Sequence, residues 1–153
     1  MKLKDFIIIL SIFLLDRVSK LYIIHLSAKL SDTKIFVSKF INIQLIWNEG
    51  VAFGILAFKN SLFYHSLTGL IVIIIIVIIY FIYKTTGIEK YGFVMILGGS
   101  LGNVFDRLLY SSVPDFLDFH YQNFHWFIFN VADIFITIGV IILISFELIL
   151  KRK

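Results

Sequence analysis

Charged and amide side chains lie inside three of the four apolar stretches of this chain, near one end of each stretch. Seven residues form this set, namely Asp16, Lys20, Asn103, Asp106, Arg107, Asn130 and Asp133. A charge at membrane depth costs about 3 kcal/mol or more unless it finds a partner or a wet cavity. Taken singly, Asp16 could simply pair with Lys20, and Asp106 with Arg107 or a neighbour. Lys20 follows Asp16 by four residues, Asp106 and Arg107 follow Asn103 by three and four, and Asp133 follows Asn130 by three. Because such spacings place residues on one helix face, the set predicts one polar site inside a membrane protein.

The carboxylates of this set could perform acid and base catalysis. Two carboxyl groups that share a poorly solvated site retain one proton between them. The ionised group can take a proton from water, while the protonated group can hydrogen-bond a peptide carbonyl and later help the amine to leave. This is the chemistry of an aspartic protease. It needs no metal and no organic cofactor, and we expect neither.

Asp133 is one candidate carboxylate, and the residues alone leave both Asp106 and Asp115 open as its partner. Arg107 follows Asp106 directly, which favours an ionised structural carboxylate at that position. Pro114 fixes the backbone just before Asp115, at a predicted membrane boundary where water is within reach. The residues therefore give a modest preference for Asp115.

The elements that must position these residues are apolar helices in a single membrane domain, residues 1–153. The chain is 59% hydrophobic and has a mean hydropathy of +0.96, whereas a soluble domain is about 45–50% apolar. A helix needs about 20 residues to cross a bilayer. The apolar stretches predict an all-α membrane protein with four transmembrane helices, over about 6–26, 62–83, 91–110 and 126–150.

A small β element is predicted on the outer side, within about residues 27–61. Apolar and polar residues alternate over 41–45, which is the period of a strand. Because short strands cannot lie bare in lipid, we expect a small sheet on the outer membrane surface. The second outer segment, 111–125, is predicted to be a short loop that holds Asp115 and a solvated Asp118.

The distribution of basic residues predicts the orientation. Seven of the 14 Lys and Arg lie at the two ends of the chain or around the link between the second and third helices. These are Lys2, Lys4, Lys84, Lys90, Lys151, Arg152 and Lys153. Because cytoplasmic segments are enriched in Lys and Arg, we expect both termini in the cytoplasm and the polar site in the outer half of the bilayer. Without a basic face bearing exposed aromatics, nucleic-acid binding is not expected.

Two further function classes remain open at this point. Residues 98–102 match G-x-S-x-G, so Ser100 could serve a rhomboid-type intramembrane serine protease with a histidine from another helix. A small proton-coupled transporter would also place carboxylates in helices, although polar residues should then line the whole depth. The chain has no cysteine and no H-E-x-x-H motif, which excludes a thiol nucleophile and a zinc protease of that motif. A polar site that opens to one side favours an enzyme reached from the outer side.

The chain resembles the lipoprotein signal peptidases (signal peptidase II), which are bacterial four-helix intramembrane aspartic proteases. Five blocks in order along the chain carry the resemblance, and no departure occurs within them. They are DRVSK at 16–20, NEGVAF at 48–53, GGSLGNVFDR at 98–107, VPDF at 113–116 and FNVAD at 129–133.

The resemblance implies that Asp115 and Asp133 are the catalytic pair, since they occupy the aspartate positions of the V-x-D-F and F-N-x-A-D blocks. It implies that other residues of the blocks hold the substrate or support the dyad, namely Asp16, Lys20, Asn48, Gly50, Asn103, Asp106, Arg107, Asn130 and Ala132. The implied substrate is a prolipoprotein whose cysteine carries diacylglycerol, cleaved on the N-terminal side of that cysteine. The resemblance further implies a protein of the bacterial cytoplasmic membrane, in contact with membrane lipid, with its active site near the extracytoplasmic leaflet. We expect it to act as a monomer.

Overall fold

Four helices form the framework of the protein. The computed structural model describes residues 1–30, 34–50, 61–122 and 124–150; the rest of the predicted β segment lies outside these ranges. The helices are α1 (Leu3–Lys29), α2 (Ser61–Lys84), α3 (Gly87–Tyr110) and α4 (Val131–Ser145), and a π-helical turn, Phe146–Leu150, continues α4.

Helices α1 and α3 lie side by side and run in the same direction. Near their starts, Lys90 Nζ donates to Asp5 Oδ2 at 2.6 Å. Further along, Lys20 Nζ donates to Asn103 Oδ1 at 2.9 Å. Helix α2 reaches the start of α3 through a link of only two residues, 85–86, so it runs antiparallel to α3.

Helices α3 and α4 approach each other closely through small residues. A Cβ added to Gly99 would lie 2.5 Å from the carbonyl oxygen of Ala132, and one added to Gly139 would lie 2.6 Å from that of Gly92. Small residues let helix backbones pack closely in a membrane, where no hydrophobic force brings helices together. This approach brings Asn103, one turn after Gly99, to the first turn of α4.

The bundle turns apolar side chains outward, as a membrane protein does. Within the described residues, three helical segments are long and apolar enough to cross a membrane: Tyr64–Lys84, Gly87–Tyr110 and Val131–Ile149. Helix α1 has 27 residues, which is about 40 Å of helix, but charged residues interrupt its apolar run. Those residues, Asp16, Arg17 and Lys20, are buried against the other helices. The predicted class, a helical membrane protein with a small sheet, is confirmed.

A four-stranded antiparallel sheet covers one end of the bundle. Its strands are β1 (Lys34–Phe36), β2 (Ile41–Asn48), β3 (Val113–Tyr121) and β4 (Phe124–Phe129), and they lie in this order. Helix α3 ends at Tyr110, and the left-handed backbone of the next residue, Ser111 (φ 55°), turns the chain towards β3. The sheet is therefore attached to the end of the bundle that carries the polar residues.

Two predicted boundaries on this side were wrong. Residues 111–125 were predicted to be a loop, but most of them belong to β3 and β4. The fourth helix was predicted from residue 126, but it begins at Val131 because Phe124–Phe129 pairs with β3. An aromatic-rich run can pack in either a strand or a membrane helix, and its cross-strand neighbours decide between them.

Candidate active site

Asp115 lies near the start of β3, directly after Pro114, and it is almost completely buried, with 3% exposure. Two amides donate to its carboxylate: Asn48 Nδ2 to Oδ2 at 2.8 Å and Asn130 Nδ2 to Oδ1 at 2.6 Å. Burial raises the pKa of Asp115 to about 6, and the nearby charge of Asp133 acts in the same direction. The two amide donors oppose this rise because they favour the ionised form. Asp115 can therefore change its protonation state near neutral pH.

Asp133 lies in the first turn of α4 and remains partly exposed. Asn103 Nδ2 donates to its Oδ1 at 2.8 Å, and the backbone N–H of Asn130 donates to its Oδ2 at 3.2 Å. In return, the backbone N–H of Asp133 donates to Asn130 Oδ1 at 3.2 Å. This reciprocal pair is a capping box, which satisfies backbone donors at a helix start. The cap thus fixes the orientation of the Asp133 carboxylate.

Asn130 is the residue that connects the two carboxylates. Its side-chain amide donates to Asp115, its side-chain oxygen accepts from the backbone of Asp133, and its own backbone donates to the Asp133 carboxylate. Asn130 is 0% exposed. The side chain of this residue therefore holds the Asp115 carboxylate, and its backbone N–H holds that of Asp133.

An apolar groove opens beside Asp133. Its volume is about 340 Å³. The groove is lined, apart from Asp133, by Phe127, Phe129, Ile134, Ile136, Thr137 and Ile138. A carboxylate at the edge of an apolar groove on a membrane-spanning helix suits a substrate with a hydrophobic segment.

A buried charge cluster lies beside Asp133. Lys20 Nζ contacts Asp16 Oδ2 at 2.9 Å and Asp106 Oδ2 at 2.7 Å, and all three side chains are 0% exposed. Arg17 completes the cluster, with Nη1 at 2.5 Å from Asp106 Oδ1. Two cations thus balance two carboxylates. The suggested pairing of Asp16 with Lys20 is present, but Asp106 pairs with Lys20 and Arg17 rather than with Arg107.

The cluster is also joined to the start of α4 and to Asp133. The Lys20 amine donates to Asn103 Oδ1, whose amide nitrogen donates to Asp133. Asp16 Oδ1 accepts the backbone N–H of Ala132 at 3.0 Å, at the start of α4. Asp16 and Lys20 therefore brace the helix turn that carries Asp133.

Arg107 reaches a different part of the site. Its guanidinium donates to the carbonyl oxygen of Gly50 and lies 5.3 Å from the centre of the Tyr64 ring. The backbone N–H of Gly50 donates to Asn48 Oδ1 at 2.8 Å, and the amide of Asn48 donates to Asp115. A continuous chain of contacts therefore links α3 through the end of β2 to Asp115.

The structure brings the sequence-predicted residues together. The two candidate partners of Asp133 differ in their contacts. Asp106 is held by two cations, whereas Asp115 shares Asn130 with Asp133. The glycines of the G-x-S-x-G match serve helix packing: a Cβ on Gly98 would lie 2.9 Å from Ile12 Cβ.

Two features escaped the sequence reasoning. Arg17 was not counted among the polar site residues, although a charge directly after Asp16 in an apolar helix was a usable signal. Asp118 was predicted to be a solvated loop charge, but it is 0% exposed and lies 2.8 Å from His125 Nδ1. Its burial follows from the strand pairing, and no signal in the sequence identified the pair.

The fold and the site define a helical membrane protein with a carboxylate pair beside an apolar groove, the arrangement of an intramembrane aspartic peptidase. The family model described as signal peptidase (SPase) II matches residues 8–149. The chain belongs to the signal peptidase II family.

Individual proteins agree with this placement. The lipoprotein signal peptidase of Pelagibacter ubique is 48% identical over 149 residues, covering 97% of this chain and 90% of the relative. That of Francisella tularensis subsp. novicida is 39% identical over 156 residues, covering 99% and 96%. A solved bacterial membrane enzyme, determined by the in meso method at 2.3 Å resolution, has a TM-score of 0.80 at 32% identity, covering 98% of this chain and 90% of its own.

Proposed function

We propose that Asp115 and Asp133 are the catalytic dyad of a lipoprotein signal peptidase. The observation that carries this proposal is the triple contact of Asn130, which bonds to both aspartates while being completely buried. The raised pKa of Asp115 supports it, because a pair that retains one proton has both an acid and a base available.

In this proposal, the pair activates a water molecule for attack on a peptide carbonyl. The ionised aspartate accepts a proton from the water, and the protonated aspartate hydrogen-bonds the carbonyl oxygen as negative charge develops there. A protonated aspartate then transfers its proton to the nitrogen of the leaving amine, and the C–N bond breaks. Neither a covalent intermediate nor a metal takes part, and Asn103, Asn130 and Asn48 hold the two carboxylates during both steps.

The substrate is a prolipoprotein whose cysteine carries diacylglycerol, cleaved on the N-terminal side of that cysteine. The apolar groove beside Asp133 supports this assignment, because it can take a hydrophobic part of a substrate that arrives within the membrane. In this proposal, Arg107 and Gly50, which are linked to Asp115 through Asn48, orient the substrate backbone. We propose that the protein acts as a monomer in contact with membrane lipid.

The orientation is part of the proposal. The ends of α1 and α3 joined by Asp5 and Lys90 are the ends that carry the excess of basic residues. By the enrichment of Lys and Arg on the cytoplasmic side, this end faces the cytoplasm. The dyad and the sheet then lie near the extracytoplasmic leaflet of the bacterial inner membrane.

Cleavage of a lipidated precursor by purified variants tests the dyad. We expect Asp115→Asn and Asp133→Asn each to lose cleavage by at least about 100-fold, the usual effect of removing an acid or base catalyst. Asp5→Asn is the matched control, because Asp5 is also a buried aspartate but lies at the opposite end of the bundle. Near wild-type cleavage by either dyad variant would refute the assignment, and equal cleavage of an unlipidated precursor would refute the proposed substrate.

A further inference from the structure

A second row of polar side chains crosses the sheet beside the dyad. On β3, Asp118 lies three residues after Asp115 and is 0% exposed. Asn42 of β2 donates to its Oδ2 at 3.4 Å, and His125 Nδ1 of β4 lies 2.8 Å from its Oδ1 and 2.9 Å from its Oδ2. We name these three residues, Asn42, Asp118 and His125, the outer row.

The outer row repeats the arrangement of the dyad's own supports. Asp115 accepts one bond from Asn48 of β2 and one from Asn130 at the end of β4. Asp118 likewise has one partner on β2 and one on β4. The two aspartates are three residues apart, about 10 Å along a strand, and this odd spacing places their side chains on opposite faces of β3. Side-chain contacts therefore hold β3 at two levels, one on each face.

We infer that the outer row positions the catalytic dyad by fixing β2, β3 and β4 relative to one another, with His125 as its key positioning residue. This inference rests on the proposed dyad of Asp115 and Asp133. Without the outer row, the hairpin of β3 and β4 loses the side-chain contact of His125 with Asp118 and keeps its backbone bonds, the stacking of Phe119 on Trp126 and Phe127, and the Asn130 contact with Asp115. A strand can then shift or twist, and the bonds of Asn48 and Asn130 to Asp115 lengthen with it.

The chemistry of the outer row indicates that this role is specific to one nitrogen of His125. Asp118 is buried and needs a donor, because an unpaired buried carboxylate is costly. His125 supplies Nδ1, while its side chain is 44% exposed. An asparagine places its amide nitrogen near the position of Nδ1, whereas a glutamine places it nearer that of Nε2. A comparison of the Asn and Gln variants therefore distinguishes a requirement for a hydrogen bond to Asp118 from a requirement for any polar side chain at residue 125.

The experiment measures kcat and KM for a lipidated precursor with His125→Leu, His125→Asn and His125→Gln. We expect kcat to fall about 10- to 100-fold in the Leu variant, since a misplacement of about 1 Å can cost this much. KM should stay nearly constant, because His125 does not contact the groove. The Asn variant should recover kcat to within about threefold of wild type because it restores the donor to Asp118, and the Gln variant should resemble Leu. His25→Asn, an exposed histidine on α1, is the control.

The pH profile gives a readout that a merely structural role would not move. When the bond from Asn130 lengthens, Asp115 loses a donor that favours its ionised form. The alkaline limb of kcat/KM should therefore move to higher pH in the Leu variant and return in the Asn variant. The inference is overturned if all three variants retain kcat, if Asn is no better than Leu and Gln, or if the loss appears in KM alone.

The dyad and the outer row fail separately in this experiment. Asp115→Asn is assayed beside the His125 variants, so retained cleavage there refutes the dyad whatever the outer row does. If the Leu variant does not fold, the comparison of Asn with Gln still decides the inference, because both replace the ring by an amide.

Discussion

Replacement of Lys20 by Met should strongly disturb the buried charge cluster. The amine contacts Asp16 at 2.9 Å and Asp106 at 2.7 Å, and all three side chains are 0% exposed. Met keeps an apolar stem of similar length but leaves the two carboxylates with only Arg17. Removing one partner of a buried ion pair costs about 3–5 kcal/mol. We expect the free energy of unfolding to fall by about this amount.

A double-mutant cycle measured by unfolding in detergent micelles tests this magnitude. Asp106→Asn alone also leaves the cluster unbalanced, whereas the double variant retains only Asp16 and Arg17, which are neutral together. We expect the double variant to lose at least about 2 kcal/mol less than the sum of the two single variants. Lys29→Met, at an exposed lysine of the same helix, should change stability by less than about 0.5 kcal/mol. Additive losses within about 0.5 kcal/mol would refute charge compensation as the source of stability.

Three further outcomes are expected. Asn48→Ala removes a donor that favours ionised Asp115, so the pKa of Asp115 should rise above about 6 and the alkaline limb of the kcat/KM profile should move to higher pH. An unchanged alkaline limb would contradict the hydrogen bond from Asn48 to Asp115. Gly102→Ala adds a Cβ that meets the Asp16 carboxylate and should lower the free energy of unfolding by about 1–3 kcal/mol, whereas Gly69→Ala, with open space around its Cβ, should not. Asp5→Asn weakens the tie to α3 and should reduce stability by about 1–3 kcal/mol without changing kcat; a loss of kcat would show that this end communicates with the site.

The sequence predicted the helices because lipid imposes a simple rule on them. A span needs about 20 apolar residues, and helices α2 and α3 lie within a few residues of the predicted ranges. Charged residues in such spans are costly, so their positions also indicated where a polar site must lie. This reasoning located Asp16, Lys20 and Asp133 without any knowledge of the tertiary structure.

The partners within the site could not be predicted in the same way. Arg107 and Arg17 both lie near Asp106, one in sequence and the other only in space. Helix packing turns Arg107 towards Gly50 and brings Arg17 to Asp106 from α1. Asp118 was misjudged for a similar reason, because its burial depends on strand pairing between distant segments. Local spacing predicts which residues share a face, and the packing of elements decides which faces meet.

The shifted start of α4 shows why one such error matters for function. In a helix that began at residue 126, the backbone N–H groups of Ala132 and Asp133 would bond to carbonyls four residues earlier. Because α4 begins at Val131, both groups are free of such bonds. The N–H of Ala132 binds Asp16, and that of Asp133 binds the side chain of Asn130. The positive end of a helix also favours nearby carboxylates. A helix start placed between β4 and the bundle therefore supplies the donors that orient Asp133, and a continuous helix from residue 126 could not.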